Sequence, residues 1–170
     1  MSQPKPTIYL DTSFFSALHY RGGALQGVAR QIRTREWWDQ ERHFFELYVS
    51  VFTVGELEEG VYGAQEAAVR EARRLRFLPV VRGVWEAKRL YMAEGLIPAS
   101  VQVDAFQLAV ATVHRMDYLL TWNSSHLANP ETQLKLKVLN DRMHWRTPWV
   151  VSPDSIPRVL LGQALRRRDE

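Results

Sequence analysis

The sequence predicts an α/β fold of three layers, α/β/α, with a central, mainly parallel sheet. Short β-favouring apolar runs recur along the chain, and helical patterns of ten or more residues separate them. Parallel strands need crossovers of that length, so the alternation implies a sheet covered by helices on both faces. A chain of 170 residues has the usual size of one domain and can bury a sizeable core. No internal repeat, low-complexity tract or Pro/Gly/Ser-rich linker divides it. Residues 1–170 are therefore expected to form a single domain that ends in a short basic tail, about 156–170, carrying Arg166, Arg167 and Arg168.

The first strand is expected at Thr7 to Leu10, after two prolines, and it runs into Asp11-Thr12-Ser13. Three possible N-cap residues in a row mark a strand passing straight into a helix. Ala24 to Glu46 reads as helical and rich in charge, with Trp37, Trp38, Phe44 and Phe45 as a dense aromatic group. So many large rings exceed what one helix face of a small domain comfortably buries, which suggests a surface for a partner. Burial in the core or in a homodimer interface is the equal alternative.

Tyr48 to Phe52 reads as the second strand and Thr53 to Tyr62 as a short helix. Ala64 to Arg76 is rich in helix formers, and Phe77 to Val81 returns to a β-type run that Pro79 places at an edge. A helix over Val84 to Glu94 is closed by Gly95, and Pro98-Ala99-Ser100 introduces another, Val101 to His114. Tyr118 to Thr121 is a short strand, Pro130 to Asn140 a helix, and Trp149 to Val151 the last apolar run.

Composition narrows the chemistry. With 46% hydrophobic and 24% charged residues the chain is neither disordered nor collagen-like. It has no cysteine, which removes disulfides, thiolate nucleophiles and cysteine-ligated zinc, so any metal must take oxygen or imidazole ligands. No apolar run reaches the ~20 residues a membrane span needs, and Met1 to Pro6 holds no signal-peptide core. A cytoplasmic protein with no membrane contact is the expectation. A net charge of +3 with a pI near 9.4 and the cluster Arg70, Arg73, Arg74 and Arg76 permit nucleic acid as a partner. The plainer reading of those arginines is a solvated helix face.

In an open parallel sheet, ligands collect beyond the carboxyl ends of the strands. Asp11 follows the first strand, Glu56 is expected in the first turn after the second, and Asp104 in the first turn of the helix after Ser100. Converging carboxylates repel, so without a counter-ion at least one pKa rises. A hard divalent cation, Mg²⁺ or Mn²⁺, resolves that conflict and can promote phosphodiester hydrolysis. Each acid also has a purely structural reading. Asp11 can cap its helix, Glu56 has capping-box spacing from Thr53, and Asp104 can complement a helix dipole.

The words around these acids sharpen the reading. Ile8-Tyr9-Leu10-Asp11-Thr12-Ser13 resembles the opening of PIN-domain nucleases, and Ser50-Val51-Phe52-Thr53-Val54-Gly55-Glu56 resembles that family's motif of serine, acid and glycine. Val103-Asp104-Ala105-Phe106 is similar to its aspartate-bearing helix, and Tyr118-Leu119-Leu120-Thr121-Trp122-Asn123 to its fourth strand and the end of that strand. The resemblance runs from Thr7 to about Ser155. It implies a VapC-like toxin of a toxin-antitoxin pair: an endoribonuclease dependent on Mg²⁺ or Mn²⁺, usually a homodimer, acting on RNA and silenced by a cognate antitoxin. Asp11, Glu56 and Asp104 would then ligate the metal, with Asn123 as the fourth catalytic position.

Many relatives carry an acid where this chain has Asn123, which puts a second metal in doubt. Asp117 is close in sequence but precedes the strand and so belongs at the wrong end. Asn123 can offer a neutral carbonyl oxygen, and His126 can bond a phosphate or a ligand, although a packing role is the simpler reading for it. The substitution motivates a rival, a PIN-like RNA- or protein-binding module with a weakened site. A phosphotransferase using Asp11 as nucleophile would want a second aspartate where Ser13 stands. A metal-free ribonuclease would need paired histidines, and the five here are scattered.

Overall fold

The structure, a computed structural model, describes residues 4–156. The basic tail expected beyond Ile156, Arg166 to Arg168 included, lies outside them. Five strands form one sheet in the order β3-β2-β1-β4-β5, with every neighbouring pair parallel. They are β1 Thr7–Leu10, β2 Glu46–Val49, β3 Arg76–Phe77, β4 Tyr118–Leu120 and β5 Trp149–Val151. The chain builds outward from β1 through β2 to β3, then returns to place β4 on the other side of β1. The order therefore reverses at β1, and the crevice beyond the carboxyl ends of β1 and β4 is where such a sheet receives ligands.

Seven α-helices complete the described fold: α1 Thr12–Leu18, α2 Leu25–Gln40, α3 Val51–Glu59, α4 Gln65–Arg73, α5 Arg82–Ala93, α6 Gln102–Val113 and α7 Pro130–Arg142. The strands show how they divide between the faces. In β1, Ile8 and Leu10 enter a cluster with Phe14, Phe15, Trp37, Leu57 and Ala68, which belongs to α1 to α4. Tyr9, between them, enters the other cluster with Tyr91, Leu108, Ala109 and Leu136, from α5 to α7. A strand alternates its side chains between faces, and both faces of β1 are apolar because both are covered.

Several boundaries differ from the sequence reading, among them the strand expected over Phe77 to Val81, which spans only Arg76–Phe77. The helix expected from Ala24 to Glu46 stops at Gln40, a single 3₁₀ turn spans Arg42–Phe44, and β2 begins at Glu46. The second strand ends at Val49, because Ser50 caps α3 through a hydrogen bond from the Phe52 N–H to its hydroxyl. Val51 and Phe52 are thereby helical. Thr53 lies inside that helix, so the capping box between Thr53 and Glu56 does not form, and Glu56 sits in the second turn. Gly95, at φ +67°, closes α5 as its position suggested.

The aromatic group is a core, which overturns its reading as a docking groove. Trp37 is inaccessible, Trp38 and Phe45 are buried, and Phe44 is half-buried against the same cluster. Trp37 packs edge-on to Phe14, with ring centroids 5.5 Å apart, and lies 5.8 Å from Phe45. Turning the chain at Gln40 folds Phe45 back beneath α2, so two elements share a load that a single helix face would not hold. Truncating Trp37 to Ala should cost about 3–5 kcal/mol.

Candidate active site

Asp11, Glu56, Asp104 and Asn123 all line one cavity of about 400 Å³ at the carboxyl end of the sheet. Asp11 and Glu56 are held by neutral donors, and Asp104 by an amide and an imidazole. Asp11 ends β1 and caps α1: one oxygen accepts from the Phe14 N–H at 3.1 Å and the Ser13 hydroxyl at 2.7 Å, the other from the Thr121 hydroxyl at 2.7 Å. Glu56 accepts from Thr12 Oγ1 at 2.6 Å and Gln107 Nε2 at 3.2 Å. Asp104, in the first turn of α6, meets Asn123 Nδ2 at 3.1 Å and His126 Nδ1 at 3.0 Å.

Burial dominates the electrostatics. It pushes the Asp11 carboxyl up to about 7, against hydrogen bonds from Thr121, Ser13 and Phe14, and the charge of Glu56 adds to the rise. Burial also raises Glu56, opposed by Thr12 and reinforced by the charge of Asp104. Asp104 is raised by burial and pulled back by His126 and Asn123. Asp11 caps α1, as its position suggested, and is still raised. Among the described residues no arginine or lysine pairs with any of the three.

This donor set has the chemistry of a hard cation's site: carboxylate oxygens, poorly solvated and mutually repelling, with no arginine or lysine paired to them among the described residues. The amide oxygen of Gln107 is also buried without a hydrogen-bond donor among the described residues. Among those residues, however, no three Asp, Glu or His side chains stand close enough to enclose an ion directly. Asp11, Glu56 and Asp104 are the residues that would hold a Mg²⁺ or Mn²⁺ ion, which keeps several of its own waters and needs few protein ligands.

Asn123 does not present its carbonyl oxygen to the cavity. That oxygen accepts from the His126 N–H at 3.1 Å while the amide nitrogen donates to Asp104. His126, read from sequence mainly as packing, is half-exposed and holds Asp104. Asp117 lies at the other end of the sheet, as its position before β4 required, bonded to Thr7 and Arg146. Arg73 pairs with Glu58, Arg76 with Glu46 at 3.7 Å and Arg70 with Glu66 at 3.9 Å. None of these arginines lines the carboxylate cavity, and the solvated-face reading describes them.

Sequence reasoning passed over the donors. Thr12 and Ser13 were read as caps, Thr121 as the end of a strand, and Gln107 was not singled out. For Gln107 a signal existed, because it stands three residues after Asp104 and so shares its helix face. Tyr20, Arg30 and Trp122 also line the cavity; Tyr20 and Arg30 come from segments with no motif, and Trp122 from the strand-end segment that contains Asn123.

The PIN domain family model matches residues 8–128. The crystal structure of Mycobacterium tuberculosis VapC20, described as a sarcin-ricin loop cleaving toxin, is similar in fold, with a TM-score of 0.54 and 21% sequence identity. That similarity covers 70% of this chain and 92% of the VapC20 chain. No curated protein matches the sequence.

Proposed function

The chain belongs to the PIN domain family, and from that premise we propose that it is a metal-dependent endoribonuclease, the toxin of a toxin-antitoxin pair. The observation that supports this reading best is the meeting of Asp11, Glu56 and Asp104 around one cavity from positions far apart in sequence. The structural readings of each acid account for them one at a time and not for their meeting.

In this reading Asp11, Glu56 and Asp104 hold Mg²⁺ or Mn²⁺, which when bound supplies Lewis acidity toward water and phosphate oxygens. The chain's own residues set the stage. Ser13 and Thr121 fix both oxygens of Asp11, Thr12 and Gln107 orient Glu56, and Asn123 with His126 orients Asp104. Hydroxyl and amide donors leave the negative charge of the acids in place, whereas an arginine would cancel it. Asn123 acts by positioning Asp104.

The proposal extends to a single domain over residues 1–170, an RNA substrate, a cognate antitoxin, a homodimer and a cytoplasmic location. Among the described residues no helix is long and apolar enough to cross a membrane. The deciding experiment is incubation of the purified chain with RNA in Mg²⁺ or Mn²⁺, with and without EDTA. Cleavage that stops in EDTA and leaves 5′-phosphate ends is expected. Undiminished cleavage in EDTA, or cyclic phosphate ends, overturns the mechanism. The neutral side chain of Asn123 favours one second reading, a module that binds RNA or protein without cutting; RNA bound but uncut at every metal concentration would support it.

A further inference from the structure

Tyr20, Arg30 and Trp122 line the same cavity as the three acids yet hold none of them. Each is fixed in place. The Trp122 indole N–H donates to the buried Thr34 hydroxyl at 2.8 Å, and its backbone N–H to Ser13 Oγ at 2.7 Å. The Arg30 guanidinium lies over the Trp122 ring, 5.4 Å from its centroid, within cation–π range. Among the described residues no carboxylate pairs with Arg30. Tyr20 lies so close to the Gly22 and Gly27 backbones that a Cβ at either would overlap its ring, and its hydroxyl accepts from the Ala24 N–H at 3.2 Å.

Arg30 and Trp122 also wall a second cavity, of about 230 Å³, which Ser124, Gln133, Ser152 and Ser155 line with hydroxyl and amide groups. The Arg30 guanidinium and the Trp122 ring thus stand between an acidic cavity and a smaller one that holds no carboxylate. The acids repel a phosphate backbone, so affinity for RNA must come from groups beside them. Stacking on aromatic and guanidinium planes provides it, but only for a base whose face is free, because bases within a duplex are already stacked.

From this the geometry points to the Arg30–Trp122 pair as the platform for an unpaired nucleobase next to the scissile phosphate, with the smaller, carboxylate-free cavity receiving the polar edge of that base. The inference rests on the ribonuclease reading and adds the residues that choose the substrate.

The test is fluorescence anisotropy with the full chain in EDTA, using a labelled eight-nucleotide RNA alone and annealed to its complement. Wild-type protein should bind the single strand at least about tenfold more tightly than the duplex. Arg30→Ala and Arg30→Lys should each weaken single-strand binding by about five- to twentyfold, and Arg30→Lys should leave duplex binding unchanged, since lysine keeps the charge and loses the plane. Trp122→Phe, which keeps a ring, should stay within about threefold of wild type, with circular dichroism to verify folding. Equal binding of both RNAs, or an Arg30→Lys protein indistinguishable from wild type, overturns the platform. Selective binding without any cleavage in Mg²⁺ or Mn²⁺ would sink the ribonuclease reading and leave the platform standing. Cleavage accompanied by no strand preference would do the reverse.

Discussion

Asp11 follows the last residue of β1, and Asp117 precedes the first residue of β4, so the two stand at opposite ends of neighbouring strands. Each accepts three hydrogen bonds from the chain. Asp11 takes two hydroxyls and a backbone N–H, all neutral. Asp117 takes the Thr7 N–H at 2.8 Å, the Thr7 hydroxyl at 3.0 Å and the Arg146 guanidinium. Burial raises both carboxyls, yet for Asp117 the Thr7 donors and the Arg146 charge outweigh it and the net shift is downward. Asp11 reaches about 7. Equal numbers of hydrogen bonds therefore give opposite outcomes, decided by depth and by the presence of one cation. One end of the sheet is complete in itself, and the other bears the cost of a charge the fold does not neutralise.

The sharpest way to break this contrast is to neutralise each aspartate in turn. Asp11→Asn should lower RNA cleavage by about a hundredfold or more, since each 1.4 kcal/mol of lost transition-state stabilisation is about tenfold in rate. The same variant should melt higher than wild type in EDTA at pH 8. The sign follows from linkage: a raised carboxyl pKa means the native state binds more protons than the unfolded one between about 4 and 7, so stability falls as pH rises through that window. At pH 4 the variant should show no gain. An Asp11→Asn protein that melts well below wild type at pH 8 would mean the carboxylate is a structural cap and little else.

Asp117→Asn should do the opposite, losing about 1.5–3 kcal/mol of stability while the cleavage rate per folded molecule stays unchanged. Its pKa is depressed, so the stability it contributes is present above the ordinary carboxylate range and is lost as pH falls through the depressed value. Urea unfolding at neutral pH, repeated as the pH is lowered through and below the usual carboxylate range, would register both the loss and its disappearance. Reduced cleavage by a well-folded Asp117→Asn protein would show that the two ends are not independent.

Metal should erase part of the difference. Adding Mg²⁺ is expected to raise the melting temperature at pH 8 by several degrees, at about 2–4 °C per kcal/mol for a chain of this size, and much less at pH 5, where Asp11 is protonated. Differential scanning fluorimetry in Mg²⁺ and in EDTA decides this; equal gains at both pH values would dissociate metal binding from Asp11.

The smallest effect is expected at Asn123. Asn123→Asp removes the amide donor from Asp104 and sets a second carboxylate against it, which should lower the melting temperature in EDTA by about 2 °C. It should also reduce the Mg²⁺ concentration for half-maximal cleavage by a few-fold, about as one added charge near a hydrated cation would. Superimposable metal titrations of the two proteins would show that position 123 does not sense the ion.

Much of the fold was legible because its signals are local. Asp11-Thr12-Ser13 announces a helix start, Gly95 a helix end, and the last strand falls at Trp149–Val151 as read. The misreadings arose where one local signal imitated another. Tyr48 to Phe52 is a continuous β-favouring run, but the Ser50 hydroxyl caps α3 and converts its second half to helix. The residues α2 shares with the following turn looked too aromatic to bury because the reversal at Gln40 is not marked by glycine or proline. The acids of the site could be picked out by position, whereas their donors could not. That Thr121 reaches Asp11 across 110 residues is a property of the sheet order, and no spacing in the sequence announces it.

That sheet order also sets when the site can exist during synthesis. Once the segment through Gln107 has left the ribosome, every acid of the site has been made, yet β1 has only β2 beside it. Asp11 still lacks Thr121, Ser13 lacks the Trp122 N–H, and Asp104 lacks both Asn123 and His126. The strand that leads into them adds to the open edge of β1 and arrives after α6. Pairings between residues this distant form late, because loop closure precedes their reward. A nascent chain therefore stays chemically incomplete until β4 has emerged and docked, and the delay between making the acids and arming them is built into the strand order itself.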